Sequence, residues 1–122
     1  MNSHISSVKN LAKLYRALAH PVRLHLLHLL LQEEACVCHL MCVIRRPQPY
    51  ISQQLGVLRD AGLVNDRREG QTVYYHGVNP AMGDILALGQ RILQEQGVEC
   101  ELPAIGTSSL PGCTCPRCNE GV

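Results

Sequence analysis

The stretch Gln48-Pro49-Tyr50-Ile51-Ser52-Gln53-Gln54-Leu55 decides the fold, because its apolar residues recur at the spacing of one helical face. At about 100° per residue, Ile51, Leu55 and Leu58 point to the same side of a helix. The proline suits the first turn and Gly62 suits the C-terminal end, so a helix over 49–60 is predicted. The side chains expected on the opposite, outer side are Tyr50, Ser52, Gln53, Gln54 and Arg59.

Three further helices are predicted before this one. Apolar residues recur at helical spacing over 5–19, and Pro21 suits the first position of a second helix over 21–32. The second helix is apolar almost all round, so we expect it at the centre of the core. A third helix is predicted over 35–44, and residues 45–48 form the turn, in which Pro47 stops the preceding helix.

Two strands and a last helix are predicted to follow. Residues 63–68 and 72–78 are joined by a short glycine-containing loop, a pattern typical of a β-hairpin, and a helix over 79–96 comes next. This order predicts a mainly α winged helix-turn-helix of the α+β class, with about five helices and a two-stranded β-hairpin wing. We expect the domain to span 1–97, and a flexible Cys-rich C-terminal tail to span 98–122.

The composition limits the classes of protein to consider. A chain of 122 residues supports one small domain, and its core must be built without Trp or Phe. There is neither an apolar run of membrane-spanning length nor a secretory signal pattern, so we expect a cytoplasmic protein. Seven cysteines, an odd number, then favour thiols, metal ligands or redox sensors over a secreted disulfide framework. The net charge of +1 is uneven, because residues 1–32 carry four cations and no acid.

A cluster of soft ligands precedes the predicted turn, in the segment Ala35-Cys36-Val37-Cys38-His39-Leu40-Met41-Cys42. If the helix begins at 35, Cys36 and Cys38 lie at opposite edges of its inward face, about 200° apart. Joint binding of one ion by Cys36 and Cys38 therefore requires the helix to begin after Cys36, or to unwind on binding. Alternatively, Cys38, His39 and Cys42 share the outward face and fit an intact helix. Thiolates alone favour As(III), whereas added imidazole suits Zn(II) or Cd(II).

The C-terminal tail carries a second group of thiols, Cys113, Cys115 and Cys118, and Cys100 stands nearer the last helix. Three thiols within six residues can wrap a soft ion on their own, or supply a third ligand to Cys36 and Cys38. Disulfide formation within the tail, and thiols without a role, are the other interpretations.

Polar and basic side chains around the turn and the hairpin suggest contacts to DNA. Gln53 and Gln54 suit adenine edges in the major groove, and basic residues of the wing suit phosphates. The predicted DNA-binding residues are Gln48, Tyr50, Ser52, Gln53, Gln54, Arg59, Arg67, Arg68 and Gln71, with Arg45 and Arg46 as further phosphate candidates.

Several of these motifs together resemble the ArsR/SmtB family of metal-responsive repressors, closest to the arsenic-sensing branch. The resemblance lies in 17–24 (ALAHPVRL), in Cys36-Val37-Cys38, in 58–64 (LRDAGLV) and in 70–75 (GQTVYY). It implies a homodimer that pairs through its first and last helices, binds a palindromic operator, and releases it when metal binds. It also implies that Cys36 and Cys38 are metal ligands.

The sequence departs from the family's arsenic-sensing pattern after the second cysteine. His39 replaces an acidic residue, Met41 occupies the position of a third cysteine, and Cys42 is shifted by one. The family's zinc site on the last helix has no counterpart, because 79–95 contains no histidine.

The sequence thus favours a metal-responsive transcriptional repressor that binds double-stranded operator DNA as a homodimer, without a membrane. As(III) is the leading ligand, Cd(II) and Pb(II) come next, and Zn(II) is last. A thiol-redox repressor on the same fold and a metal-binding protein that does not bind DNA are the alternatives. An enzyme is not expected, because no nucleophile, base and orienting group stand at a recognisable spacing.

Overall fold

The computed structural model describes residues 2–103, with side chains from His4 onward. Within this range the helices are α1 (Asn2–Leu18), α2 (Pro21–Gln32), α3 (Val37–Ile44), α4 (Gln48–Asp60) and α5 (Ala81–Glu95). The strands are β1 (Ala35–Cys36), β2 (Val64–Glu69) and β3 (Thr72–Gly77). The predicted order of the five helices and the hairpin is confirmed. Among the described residues, no helix has both the length and the apolar character needed to cross a membrane.

The second helix is the centre of the core, as its apolar sequence predicts. Leu26, Leu27 and Leu29 of α2 are fully buried. They pack in one cluster with the inward residues of α3 and α4: Leu40, Ile51, Leu55 and Leu58. The imidazole of His20 caps the helix, since its Nδ1 accepts a hydrogen bond from the Val22 N–H at 3.2 Å.

The sheet has one strand more than the predicted two-stranded hairpin. Its order is β1-β3-β2, and β1 pairs antiparallel with β3 through Ala35 opposite Tyr75 and Cys36 opposite Tyr74. The predicted start of the third helix at 35 is therefore wrong, because Ala35 and Cys36 are extended and α3 begins at Val37. A strand of two residues has no periodicity that a sequence pattern can reveal.

The wing is a tight hairpin. Strands β2 and β3 are joined by Gly70-Gln71, and Gly70 has φ +62°, which fits a type II′ turn with glycine in its first central position. The residues that flank the turn, Glu69 and Thr72, form the last pair of the ladder. The glycine thus sets the register of the whole hairpin.

The chain turns back after α5. Gly97, with φ +80°, ends the helix, and the Cys100 carbonyl accepts a hydrogen bond from Gln94 Nε2 at 2.7 Å. His28 Nε2 of α2 lies within hydrogen-bond distance of the Pro103 carbonyl oxygen, also at 2.7 Å. The first residues of the predicted tail are therefore held against α2 and α5, and the tail cysteines Cys113, Cys115 and Cys118 lie outside the described residues.

Candidate DNA interface and cysteine cluster

The first two turns of α4 present a polar surface. Gln48 and Ser52 lie one turn apart, and Gln48 Nε2 donates to Ser52 Oγ at 2.9 Å, while Gln53 is exposed. Tyr50 is half-buried, with its hydroxyl 3.3 Å from His20 Nε2 and the Arg46 guanidinium 5.1 Å above its ring. Side chains that hold one another in this way are positioned before they meet a base or a phosphate.

Gln54 is not on the outer surface of α4, where the sequence analysis placed it. It is only 7% exposed, and its Oε1 accepts a hydrogen bond from Arg23 Nη1 at 3.0 Å. The reason is geometric, because residue 54 lies only about 40° from Leu58 around the helix and so falls at the edge of the buried face. Of the two adjacent glutamines, Gln53 is therefore the one exposed to solvent.

Arg23 connects three helices through its guanidinium. Besides Gln54 of α4, it reaches two carbonyls in the last turn of α1, with Nε 2.6 Å from the Ala17 oxygen and Nη2 3.1 Å from the Arg16 oxygen. A cation at the C-terminal end of a helix is favoured by the helix dipole. The sequence motif in 17–24 that carried the family resemblance is thus a structural joint between α1, α2 and α4.

The turn between α3 and α4 contains an unusual backbone conformation. Arg45 has φ +60° and ψ +48°, which is left-handed, and its N–H donates to the Met41 carbonyl at 2.7 Å. Asn, Asp and Gly adopt this region readily, whereas other residues are strained there. An exposed arginine in a strained turn beside the recognition helix is a candidate phosphate contact.

The basic residues of the wing differ in their surroundings. Arg68, Gln71 and Arg59 of α4 are exposed. Arg67 is held by two carboxylates, with Nη2 2.6 Å from Glu34 Oε1 and Nη1 2.9 Å from Glu69 Oε2. These hydrogen bonds, first to Glu34 and then to Glu69, raise the pKa of Arg67 above its usual value. The charge of Arg67 is thus largely balanced by Glu34 and Glu69, unlike that of an arginine that is free to bind a phosphate.

Three cysteines meet at the junction between the sheet and α3. Cys36, which is 3% exposed, packs with Tyr74 of β3 in a small buried cluster, and Cys38 and Cys42 pack against that pair. Cys36, Cys38, Cys42 and Tyr74 are called the cysteine cluster below. Because Cys36 precedes the first residue of α3, the geometric condition for Cys36 and Cys38 to act together is met.

The predicted outward face of Cys38, His39 and Cys42 is wrong for His39, which is buried. Cys38 and Cys42 are half-buried and pack against the Cys36–Tyr74 pair. The prediction took account only of packing between α3 and the other helices. Strand β1 brings the sheet against the side of α3 that was expected to face solvent.

The donor chemistry of the cysteine cluster suits a soft ion, since thiolates select As(III), Cd(II) and related ions. The four described cysteines, Cys36, Cys38, Cys42 and Cys100, are in the thiol form. Within residues 2–103, however, no three His, Cys, Asp or Glu side chains are arranged so that they could hold a metal ion.

A large apolar surface lies on the other side of the molecule. An apolar cavity of about 320 Å³ lies between α1, α2 and α5, and Leu102 closes one side of it. Two of the helices around it expose large apolar side chains: Ile5, Val8, Leu11 and Tyr15 of α1, and Leu88, Ile92 and Leu93 of α5. A surface of this kind marks an interaction site on a small protein.

The fold and its surfaces define a winged helix-turn-helix transcriptional regulator, with a recognition helix at α4 and a wing at β2–β3. Residues 20–66 match the bacterial regulatory proteins of the arsR family. An uncharacterized HTH-type regulator of Methanocaldococcus jannaschii is 36% identical over 78 residues, which are 63% of this chain and 88% of that protein. The chain therefore belongs to the ArsR family, whose members are transcriptional regulators and not enzymes.

Further similarities extend this assignment. The arsenic resistance transcriptional regulator ArsR2 of Pseudomonas putida is 51% identical over 49 residues, 40% of this chain and 42% of that protein. Among solved structures, NolR of Sinorhizobium fredii has a TM-score of 0.71 and 32% identity over 75% of this chain and 92% of its own.

The descriptions of two other solved structures name an oligomeric state or a redox state. The homodimeric winged helix-turn-helix domain of a possible ArsR-family regulator from Mycobacterium bovis has a TM-score of 0.70 and 29% identity, over 79% of this chain and 89% of that one. Reduced HlyU of Vibrio cholerae has a TM-score of 0.67 and 32% identity, over 75% and 97%.

Proposed function

We propose that this protein is a cytoplasmic, homodimeric repressor that binds operator DNA and releases it when a thiophilic metal or metalloid binds its cysteines. As(III) is the leading ligand, ahead of Cd(II) and Pb(II), with Zn(II) last. The observation that carries the proposal is the position of the cysteine cluster. Its thiols lie between the helix that leads into the recognition helix and the strand that forms the wing.

The DNA contacts proposed are those on the outer surface of α4 and on the wing. Gln48, Ser52 and Gln53 would meet base edges, and Tyr50 and Arg59 the groove or its backbone. Arg68 and Gln71 at the wing, with Arg45 and Arg46 at the turn, would meet phosphates. Gln54 takes no direct part in this proposal, because it is buried against Arg23.

The proposed ligands begin with Cys36 and Cys38, and Cys42 is the nearest additional thiol of the cluster. A bound soft ion would supply strong bonds to thiolates, and these favour whichever conformation brings the sulfurs together. The tail thiols Cys113, Cys115 and Cys118 remain proposed sources of a further thiolate. The arsenic resistance regulators among the relatives support As(III) as the ligand by analogy.

The dimer is proposed to form through α1 and α5. Their exposed apolar side chains would be covered by the same helices of a second copy, in a two-fold arrangement that presents two recognition helices to a palindromic operator. The homodimeric domain from Mycobacterium bovis supports this arrangement by analogy.

The test is a titration of DNA release with independent measurement of ligation. DNA from the protein's own promoter is bound, and As(III), Cd(II), Pb(II) and Zn(II) are added, while ultraviolet absorbance reports sulfur–metal bonds. The variant with Cys36→Ser and Cys38→Ser should bind DNA normally and lose release, whereas Cys42→Ser and truncation after Gly112 show whether those thiols contribute. Unchanged ion sensitivity in the double variant would show that the sensor site is wrong.

A thiol-redox repressor is the second candidate. It is favoured by the contact of three thiols around one ring and by the similarity to HlyU, whose structure is of a reduced form. Release by an oxidant with metal chelated away, reversed by a reductant, would support this function over metal sensing. Membership of a family of transcriptional regulators favours both candidates over a metal-binding protein that does not bind DNA.

A further inference from the structure

We propose that Glu34, Arg67 and Tyr74 form the link by which the cysteine cluster controls the wing. The proposal rests on the function proposed above and names how the sensor would reach the DNA-binding surface. Three observations carry it: a row of residues across the sheet, a salt bridge that spans the same strands, and the burial of Cys36.

The row runs straight across the three strands. Tyr74 of β3 lies opposite Cys36 of β1 on one side and opposite Arg67 of β2 on the other. Residues directly opposite one another in an antiparallel sheet share a face, so their side chains can touch. The contacts are present, because Cys36 packs on Tyr74 and the Arg67 guanidinium lies 4.9 Å from the centre of the same ring. One tyrosine therefore touches both the proposed sensor thiol and a wing cation.

The salt bridge joins the two ends of this row. Glu34 stands immediately before β1, and both of its carboxylate oxygens accept hydrogen bonds from Arg67, at 2.6 Å from Nη2 and 2.7 Å from Nε. A bidentate pair of this geometry fixes orientation as well as distance. It joins the segment before Cys36 to the outer strand of the wing. Glu69 also contacts Arg67 at 2.9 Å, but it lies on β2 itself and does not connect the wing to β1.

Ligation of Cys36 would act on the weakest part of this assembly. Strand β1 has only two residues, so its ladder with β3 is short. A thiolate drawn toward Cys38 at the start of α3 must leave its packing on Tyr74 or pull β1 with it. In both cases the ring loses the thiol that packs on it, and displacement of β1 also disturbs the Glu34–Arg67 pair. The binding energy at the thiols then favours a conformation of the sheet in which the wing is displaced.

Linkage gives the proposal a consequence that needs no metal. We call the arrangement with Cys36 packed on Tyr74 closed, and the one in which Cys36 has left Tyr74 open. If the wing and Cys36 are coupled, operator DNA must favour the closed arrangement and so protect the Cys36 thiol. The factor of protection must equal the factor by which opening weakens DNA binding. The rate at which iodoacetamide alkylates Cys36, followed by mass spectrometry of the peptide, measures this directly. In the wild type, saturating DNA should slow that rate by about tenfold or more, whereas Glu34→Gln should raise the rate in free protein and weaken the protection.

The deciding experiment compares Glu34→Gln with Glu69→Gln. Each removes one charge that contacts Arg67, but only Glu34 bridges to β1. For each protein, the Kd for promoter DNA is measured with and without arsenite, and arsenite ligation is followed by absorbance. We expect Glu34→Gln to bind arsenite at least as tightly as the wild type while the ratio of the two Kd values falls by about tenfold, and Glu69→Gln to keep the wild-type ratio.

The outcomes separate the two proposals. If wild-type protein binds arsenite without any change in DNA affinity, the proposed function and the link both fail. If the wild type releases DNA and Glu34→Gln keeps the full ratio, only the link is overturned. Arg67→Lys, which keeps the charge but loses the bidentate geometry, should reproduce Glu34→Gln, and a wild-type ratio in Arg67→Lys would also overturn the link.

Discussion

At the scale of single residues, Arg45 in the turn before the recognition helix places a positive charge there, and its strained backbone lowers the stability of the fold. Arg45 holds a left-handed backbone that glycine adopts without steric cost. Arg45→Gly is therefore expected to raise the free energy of unfolding by up to about 1 kcal/mol, after the larger backbone entropy of glycine in the unfolded chain is subtracted. The same variant should bind DNA more weakly, because the proposed phosphate contact of Arg45 is lost. Urea denaturation and fluorescence anisotropy measure the two effects.

The control for this prediction is Arg45→Asn, since asparagine tolerates the left-handed region and carries no charge. Both variants should reduce the slope of log affinity against log salt by about one phosphate contact, and neither should lose stability, because both residues tolerate the left-handed region. An unchanged salt slope in both would contradict the role of Arg45 at a phosphate.

His25 predicts how stability responds to acid. Burial, and then the neighbouring His28, lower the pKa of His25 from its ordinary value of 6.5, and its buried Nε2 has no hydrogen-bond partner among the described residues. Below pH 6.5 the unfolded chain gains a proton that the folded protein resists, so the free energy of unfolding falls as the pH falls. His25→Gln should flatten this fall between about pH 7.5 and about pH 5.5 in urea titrations. His4→Gln, at an exposed position, should leave the profile as it is.

At the scale of elements, two adjacent glutamines of α4 are predicted to do different work. Gln54 is buried on Arg23, so Gln54→Ala leaves a donor of the guanidinium without its partner and should cost about 1–2 kcal/mol of stability. Gln53 is exposed, so Gln53→Ala should change stability by less than about 0.5 kcal/mol. The second variant should instead lose about 1–3 kcal/mol of discrimination between the operator and unrelated DNA. Equal stability losses in the two variants would refute this division.

The elements themselves were largely predictable because their signals are local. The apolar spacing of α2 and α4 and the glycine loop of the hairpin each predict an element that the structure contains. Strand β1 was missed, because Ala35 and Cys36 become a strand only when β3 provides an edge to pair with. That one tertiary contact also moved the start of α3 and turned Cys38 and Cys42 toward Tyr74. The cysteines were recognisable from their spacing, whereas their common partner was not.

At the scale of the whole molecule, the proposed dimer surface on α1 and α5 and the proposed DNA-binding surface on α4 are connected through Arg23 of α2. The apolar surface of α1 and α5 ends at the last turn of α1, where Arg23 of α2 holds the Arg16 and Ala17 carbonyls and, through Gln54, the recognition helix. A partner that packs on α1 would thereby fix the position of α4 through three hydrogen bonds. The distance between two recognition helices in a dimer would depend on this joint, and so would the spacing of half-sites on the DNA.

The dimer itself is tested by adding the same charge to two faces of one helix. Val8, which is 68% exposed, lies in the apolar stripe of α1, whereas Asn10 is exposed on a different face about 200° away around the helix. Val8→Glu should shift the protein to monomers in sedimentation equilibrium, because a carboxylate cannot be buried there without a partner. It should also weaken binding to a two-half-site operator by more than about tenfold while binding to a single half-site stays unchanged. Asn10→Glu should keep both the dimer and the affinity, and a Val8→Glu protein that remains dimeric would place the subunit contact on another surface.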